Sequence, residues 1–135
     1  MAGYSGTPLA KKLGFKEGHR VRTSNAPGDY LTLVSPRPEG VTISGSIRKN
    51  IDIWHIFTRS KSELESRLPD MMRAIHPDGM IWVSWPKKSS GVSSTIVEDT
   101  IRQVALPLGL VDIKVCAVDD TWSGLKLVIR KEMRK

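Results

Sequence analysis

A chain of 135 residues, 39% hydrophobic and 26% charged, has the size and balance of one ordinary globular domain and excludes the collagen-like, low-complexity and disordered classes. Folding at this length buries roughly 70% of the surface that the unfolded chain exposes, so a single core suffices. With Cys116 as the one cysteine, neither an intramolecular disulfide nor a cysteine-built zinc site can form.

Lys11, Lys12, Lys16 and Arg20 break up the first thirty residues, leaving no apolar run of the ~7 to 15 residues that a secretory leader needs. No stretch approaches a ~20-residue membrane span either, and the expected setting is the reducing cytoplasm, away from membranes. The net charge of +7 is terminal: residues 1–22 carry +4, residues 130–135 carry +3, and residues 23–129 balance twelve basic against twelve acidic side chains. Nucleic-acid binding by such a chain requires its two basic ends to meet in space.

Thr7 and Pro8 read as N-cap and first position of a short helix through Leu9, Ala10 and Leu13 that stops at Gly14. Arg20 to Asn25 then reads as a strand broken by Pro27-Gly28, with Asp29 placed to cap a brief helix through Tyr30, Leu31, Leu33 and Val34 that ends before Pro36. A weak strand, Val41 to Ser44, follows. The β-branched and aromatic run from Ile51 to Phe57 is apolar on both alternating faces, which predicts a central strand covered on both sides. Ser60 and Glu63 make a capping box for a helix with Leu64, Leu68, Met71, Met72 and Ile75 on one side, and Pro69 is expected to kink or split it.

His76 to Gly79 reads as a turn, Met80 to Trp85 as a second doubly buried strand, and Thr95 with Glu98 as a second capping box before Ile101, Val104, Ala105 and Leu108. Val111 to Val118 and Leu125 to Ile129 close the chain as a hairpin. Strands alternating with helices predict one Rossmann-like α/β domain over residues 1–135: a three-layer fold, mainly parallel, with an antiparallel C-terminal hairpin. Alternation and right-handed crossovers give the order second, first, third, fourth for the first four strands. The link from Gly45 to Asn50 is too short for a crossover helix. Extended, it reaches ~20 Å, so a bare loop can return the chain, and an antiparallel pairing stays open.

The segments SGTPLAKKLGFKEG, DGMIWVSWPKKSSG and GLVDIKVCAVDDTWSGLKLV resemble a family of short bacterial proteins of unknown function, over nearly the whole chain. That resemblance implies membership and brings no activity with it. More distantly, HPDGMIWVSWP and the terminal hairpin are similar to the second half of class I S-adenosylmethionine-dependent methyltransferases, which implies a methyltransferase-like core with the antiparallel sixth strand between the fourth and the fifth, for the full order second, first, third, fourth, sixth, fifth. The first half departs from that pattern: NAPGDY has Gly28 alone where a glycine-rich turn belongs, and the second strand ends in Ser44-Gly45 without an acidic residue for a ribose.

In an open parallel sheet, ligands gather at the carboxyl ends of the strands. The loop Lys87-Lys88-Ser89-Ser90-Gly91 leaves such an end with two ammonium groups, two hydroxyls and a helix start, a chemistry suited to phosphate or carboxylate. Asn25, Thr58 and Trp122 are expected to face it, with Trp122 placed either to stack on a base or to cover the core edge. Asp119 and Asp120 fit a turn, His55 fits a satisfied core histidine, and Cys116 fits a small buried hydrophobe. No metal-ligand spacing, nucleophile elbow or Walker pattern is present, and no cofactor is assigned. The expected function is a small, non-catalytic or weakly catalytic ligand-binding or regulatory module for an anionic or nucleotide-like molecule. A methyltransferase-like enzyme and a nucleic-acid or protein adaptor using the basic ends are the alternatives.

Overall fold

Two strands buried on both faces form the middle of the sheet. In the computed structural model, which describes residues 7–134, β1 (Arg20–Ser24) and β2 (Thr42–Ser44) lie to one side of β3 (Ile51–Phe57) and β4 (Ile75–Pro86). β5 (Leu110–Ala117) and β6 (Trp122–Ile129) lie to the other. The order is β2-β1-β3-β4-β6-β5, with β2, β1, β3 and β4 parallel and β6 antiparallel to both of its neighbours. The fold is thus the mainly parallel α/β sheet with a C-terminal hairpin that the alternation of elements predicts.

Two short helices, α1 (Leu9–Leu13) and α2 (Tyr30–Leu33), cover one face of the sheet, packing Leu13, Tyr30 and Val34 against Ile53, Phe57 and Trp82. The longer helices α3 (Lys61–Ala74) and α4 (Glu98–Ala105) cover the other, where Leu64, Leu68, Met71, Ile101 and Ala105 meet Ile56, Ile81, Val83, Leu125 and Leu127. Arg102 fastens α4 to the sheet by pairing with Glu98 and Asp99 on its own helix and with Asp112 on β5 at 2.9 Å. β5 forms the outer edge. It carries one extra residue, Ile113, between the pairs Asp112–Leu127 and Lys114–Lys126.

β2 and β3 run parallel on either side of β1, so the link from 45 to 50 returns the chain without a helix. Ile47 of that link is buried in the α3 side of the core, and Asn50 turns the chain with φ of 57°. A bare loop does the work of a crossover helix here.

Several local features differ from expectation, each for a traceable reason. Helix α1 begins one residue late, with Pro8 rather than Thr7 at its N-cap. Asp29 holds the N-cap position of α2 without a side-chain bond. Pro69 lies within α3 without splitting it: Leu64, Leu68 and Met71 are buried before and after it, and the carbonyl that loses its partner belongs to exposed Glu65. The second capping box loses its expected acceptor, because Thr95 Oγ1 accepts the N–H of Lys61 at 2.9 Å; Thr100 Oγ1 accepts that of Val97 instead.

His76 to Gly79 bulges out of a strand that already begins at Ile75, since Ile51 pairs with Ile75 and Ile53 with Met80. A Cβ on Gly79 would stand 2.9 Å from the carbonyl oxygen of Asp52 and 3.0 Å from that of His76, both immobile backbone. Gly79→Ala should therefore cost about 1–3 kcal/mol, read as a lower urea midpoint at unchanged slope. An unchanged midpoint would mean that the bulge relaxes freely.

Candidate functional site

Strand order reverses between β1 and β3, and at such a switch point the loops at the carboxyl ends part to leave a crevice. Here the crevice is bridged. Asn25, in the left-handed region at φ of 58°, donates from Nδ2 to the Phe57 carbonyl at 3.1 Å and to Glu63 Oε2 at 3.2 Å. Thr58, nearly fully buried, donates from Oγ1 to Glu63 Oε1 at 2.6 Å. Glu63 thus joins the two strand ends through both carboxylate oxygens. Ser60 caps α3 by accepting the Glu63 N–H, but the Glu63 carboxylate leaves the capping box to make these bonds, and the Ser60 N–H goes to Thr58 Oγ1.

Beside this bridge opens a polar cleft of about 370 Å³ lined by Arg59, Ser60, Glu63, Ser93, Ser94 and Thr95. Thr95 shapes it, donating its N–H to the Arg59 carbonyl while its hydroxyl accepts from Lys61. Among the lining residues Ser60, Glu63 and Thr95 stood out in the sequence, all three as members of capping boxes. Capping serine and threonine are natural cleft-formers, because their hydroxyls face the open first turn of a helix.

The remaining candidates stand on the other side of the sheet's end. Lys87 is half-buried; its ammonium donates to the Asp119 carbonyl at 2.7 Å and its N–H to the Thr121 carbonyl at 2.8 Å. Lys88, Ser89 and Ser90 form a single 3₁₀ turn closed by Gly91, with Lys88 and Ser89 exposed and Ser90 Oγ donating to the Lys87 carbonyl. Asp119 Oδ1 accepts the N–H groups of Thr121 and Trp122, the bonding of an Asx turn. Trp122 is half-buried and meets Phe57 edge-on at 5.1 Å. The structure therefore brings Asn25 together with Thr58, and Lys87 with Trp122, while no hydrogen bond among the described residues links the two pairs.

The terminal charge acquires company from the hairpin. Lys126 is pushed below the usual lysine range by burial and by the like charges of Lys114 and Lys16, and Lys12 and Lys114 act together on half-buried Cys116, whose thiol burial drives up. Lys114 and Lys126 of the hairpin thus feel the charges around α1, where Lys12 and Lys16 lie. Among the described residues no group of three or more acidic, cysteine or histidine side chains could hold a metal, and no helix is long and apolar enough to cross a membrane.

The fold and the family agree with the comparisons. Residues 43–131 match the family described as a protein of unknown function, DUF3052. The chain belongs to that family. No curated protein matches its sequence. Solved structures share its fold at low identity. An S-adenosylmethionine-dependent methyltransferase from Aquifex aeolicus is 17% identical with a TM-score of 0.62, over 90% of this chain and 87% of that one. An S-adenosylmethionine-dependent O-methyltransferase from Thermotoga maritima is 11% identical with a TM-score of 0.58, over 91% and 64%. TrmN from Thermus thermophilus is 10% identical with a TM-score of 0.53, over 90% and 47%. The chain thus spans less than two thirds of the Thermotoga protein and about half of the Thermus one.

One buried polar line looks catalytic and is structural. His55 is fully buried; one ring nitrogen bonds the Tyr30 hydroxyl at 2.8 Å and the other the Ser84 hydroxyl at 2.7 Å, so the neutral ring donates at one nitrogen and accepts at the other. Burial lowers its pKa to about 3 and raises that of the Tyr30 phenol. With Ser84 also sealed from solvent, the line offers a substrate neither nucleophile nor base.

It does set a pH dependence. The folded chain keeps His55 neutral down to about pH 3, whereas the unfolded chain binds a proton below its ordinary value of 6.5, so stability is full above 6.5 and declines as pH falls below it. Between about pH 5.5 and 4 the slope should approach about 1.4 kcal/mol per pH unit, and His55→Gln should flatten it. Urea midpoints across that window give the measurement; a variant keeping the full slope would place the titrating group elsewhere.

Proposed function

We propose that this chain is a small ligand-binding or regulatory module that takes an anionic or nucleotide-like molecule at the carboxyl edge of its sheet and carries out no chemistry itself. The observation that carries this reading is the cleft beside the Glu63 bridge, with the exposed Arg59 guanidinium set among the hydroxyl-bearing side chains of Ser60, Ser93, Ser94 and Thr95. Hydroxyls and a guanidinium recognise oxyanions, and the carboxylate in the lining, Glu63, is held by Asn25 and Thr58 through both oxygens. Lys88 and Ser89 extend the exposed polar edge toward β6.

The methyltransferase reading rests on fold, and fold does not carry an activity. The structural neighbours from Thermotoga maritima and Aquifex aeolicus are S-adenosylmethionine-dependent. Three features weigh against it here. Asn25 and Glu63 span the gap between β1 and β3; α2, the helix after the first turn, has four residues; and β2 ends in Ser44, whose hydroxyl bonds Ser46. A thermal-shift screen of nucleotides, S-adenosylmethionine and S-adenosylhomocysteine separates the readings. Ligand at ~100 times its dissociation constant adds ~2.7 kcal/mol, and the paired change Arg59→Gln and Lys88→Gln should remove that gain while leaving the unliganded melting temperature nearly unchanged. A response confined to the S-adenosyl compounds would overturn the proposal in favour of the enzyme.

The like charges of Lys114 and Lys126 on the hairpin and of Lys12 and Lys16 in and after α1 favour a second reading, a nucleic-acid adaptor. Phosphate neutralisation makes such binding fall steeply with salt. Lys114→Gln with Lys126→Gln should reduce both the affinity for a single-stranded oligonucleotide and its salt slope, in a fluorescence-anisotropy titration. No binding by the unaltered chain at low salt would remove this reading.

A further inference from the structure

The bare crossover leaves something unusual over β1. In place of the side chains of a crossover helix, the α3 face of β1 carries Arg22, laid flat on Trp54, its neighbour in the β1–β3 ladder, with Cζ 4.1 Å from the ring centroid. Its Nη1 donates to the Ile47 carbonyl of the crossover link at 2.9 Å, and its Nε is buried without any partner. Two residues on, Ser24 Oγ accepts from Trp54 Nε1 at 2.9 Å and from Arg67 Nη2 of α3 at 3.2 Å. Arg48, on the link itself, completes the group: Arg22 is lowered from its ordinary range first by burial, then by the like charges of Arg67 and Arg48.

Three guanidiniums therefore converge between the crossover link and α3. Among the described residues no carboxylate stands within ion-pair distance of any of them, although Arg102 elsewhere in the same chain gathers three. Converging like charges, one of them half-buried, oppose folding unless an anion offsets them. The stack on Trp54 and the bond to the Ile47 carbonyl fix the plane of Arg22 and so hold its charge in one place, the preorganisation that anion recognition uses.

We propose that Arg22, Arg48 and Arg67 form a phosphate-binding site on the sheet face over β1, separate from the carboxyl-edge cleft, and that its ligand is a small molecule bearing a terminal phosphate monoester. A monoester carries close to two negative charges at neutral pH and three free oxygens, which suits three cations better than the single charge of a phosphodiester. The chemistry thus favours a phosphorylated small molecule over a nucleic-acid backbone.

The test follows the arginine Nε–Hε signals of the full chain by ¹⁵N NMR while methyl phosphate, inorganic phosphate or dimethyl phosphate is added at constant ionic strength. The first two should shift the Arg22, Arg48 and Arg67 signals saturably, with dimethyl phosphate at least about tenfold weaker. Arg48→Gln and Arg67→Gln leave the Arg22–Trp54 stack in place, and each should weaken methyl phosphate binding about tenfold or more, the loss of one charge-assisted contact. Arg59→Gln with Lys88→Gln should leave it unchanged, which keeps this site distinguishable from the edge cleft. No saturable shift, or equal binding by the Arg48 and Arg67 variants, would overturn the site. Binding of dimethyl phosphate as tightly as methyl phosphate would overturn the monoester and point to a phosphodiester ligand.

Discussion

Burial of β3 and β4 on both faces is the constraint on which the remaining structure depends. A strand with no solvent-facing side must place every polar side-chain atom against a partner, because an unmet donor or acceptor there costs roughly 1–3 kcal/mol. Three buried polar side chains of the two central strands, His55, Trp54 and Trp82, meet that need by reaching peripheral elements. His55 holds Tyr30 of α2 and Ser84 of β4; Trp54 holds Ser24 of β1; Trp82 donates to the Leu13 carbonyl at the end of α1. Helices of four and five residues could not persist alone. They are kept by hydrogen bonds whose other ends the core cannot leave unmade.

The same logic explains which parts of the fold are legible in the sequence. Ile51–Phe57 has the expected boundaries because double burial writes an unbroken apolar run; the order of the four parallel strands follows from short connections and right-handed crossovers, and that of the hairpin from the methyltransferase resemblance. Features set by tertiary neighbours are hidden. Thr95 looks like the cap of the helix after it, yet folding places it at the start of α3, where Lys61 takes its hydroxyl. The bulge at His76–Gly79 reads as a turn because local composition reports a bend and not the ladder on either side of it. Trp122 to Gly124 reads as a loop and joins β6, drawn in by pairing with Ser84, Trp85 and Pro86.

The candidate site was less legible than the fold. Asn25 and Thr58 were visible as strand ends, but nothing local says that Glu63, a capping residue, would span them. The arginine group over β1 draws its members from a strand, a link and a helix, and its one visible trace is the shortness of residues 45–50. A crossover too short for a helix leaves a face uncovered, and something in the chain must occupy it. In this family member the occupant is a cation on an indole.

The extra residue in β5 has a consequence for how copies of the chain meet. An outer strand presents unpaired backbone groups to solution, and a flat eight-residue edge bearing exposed Ile113 and Val115 would template the sheet of a second molecule. Ile113 interrupts that row by sharpening the local twist, so the donors and acceptors on its two sides no longer lie in one line. Exposed Lys114, beside it, would carry its charge into any such junction, where a second copy brings the same charge. The bulge thereby works as a terminator at this edge, opposing hydrogen-bonded growth of the sheet beyond β5.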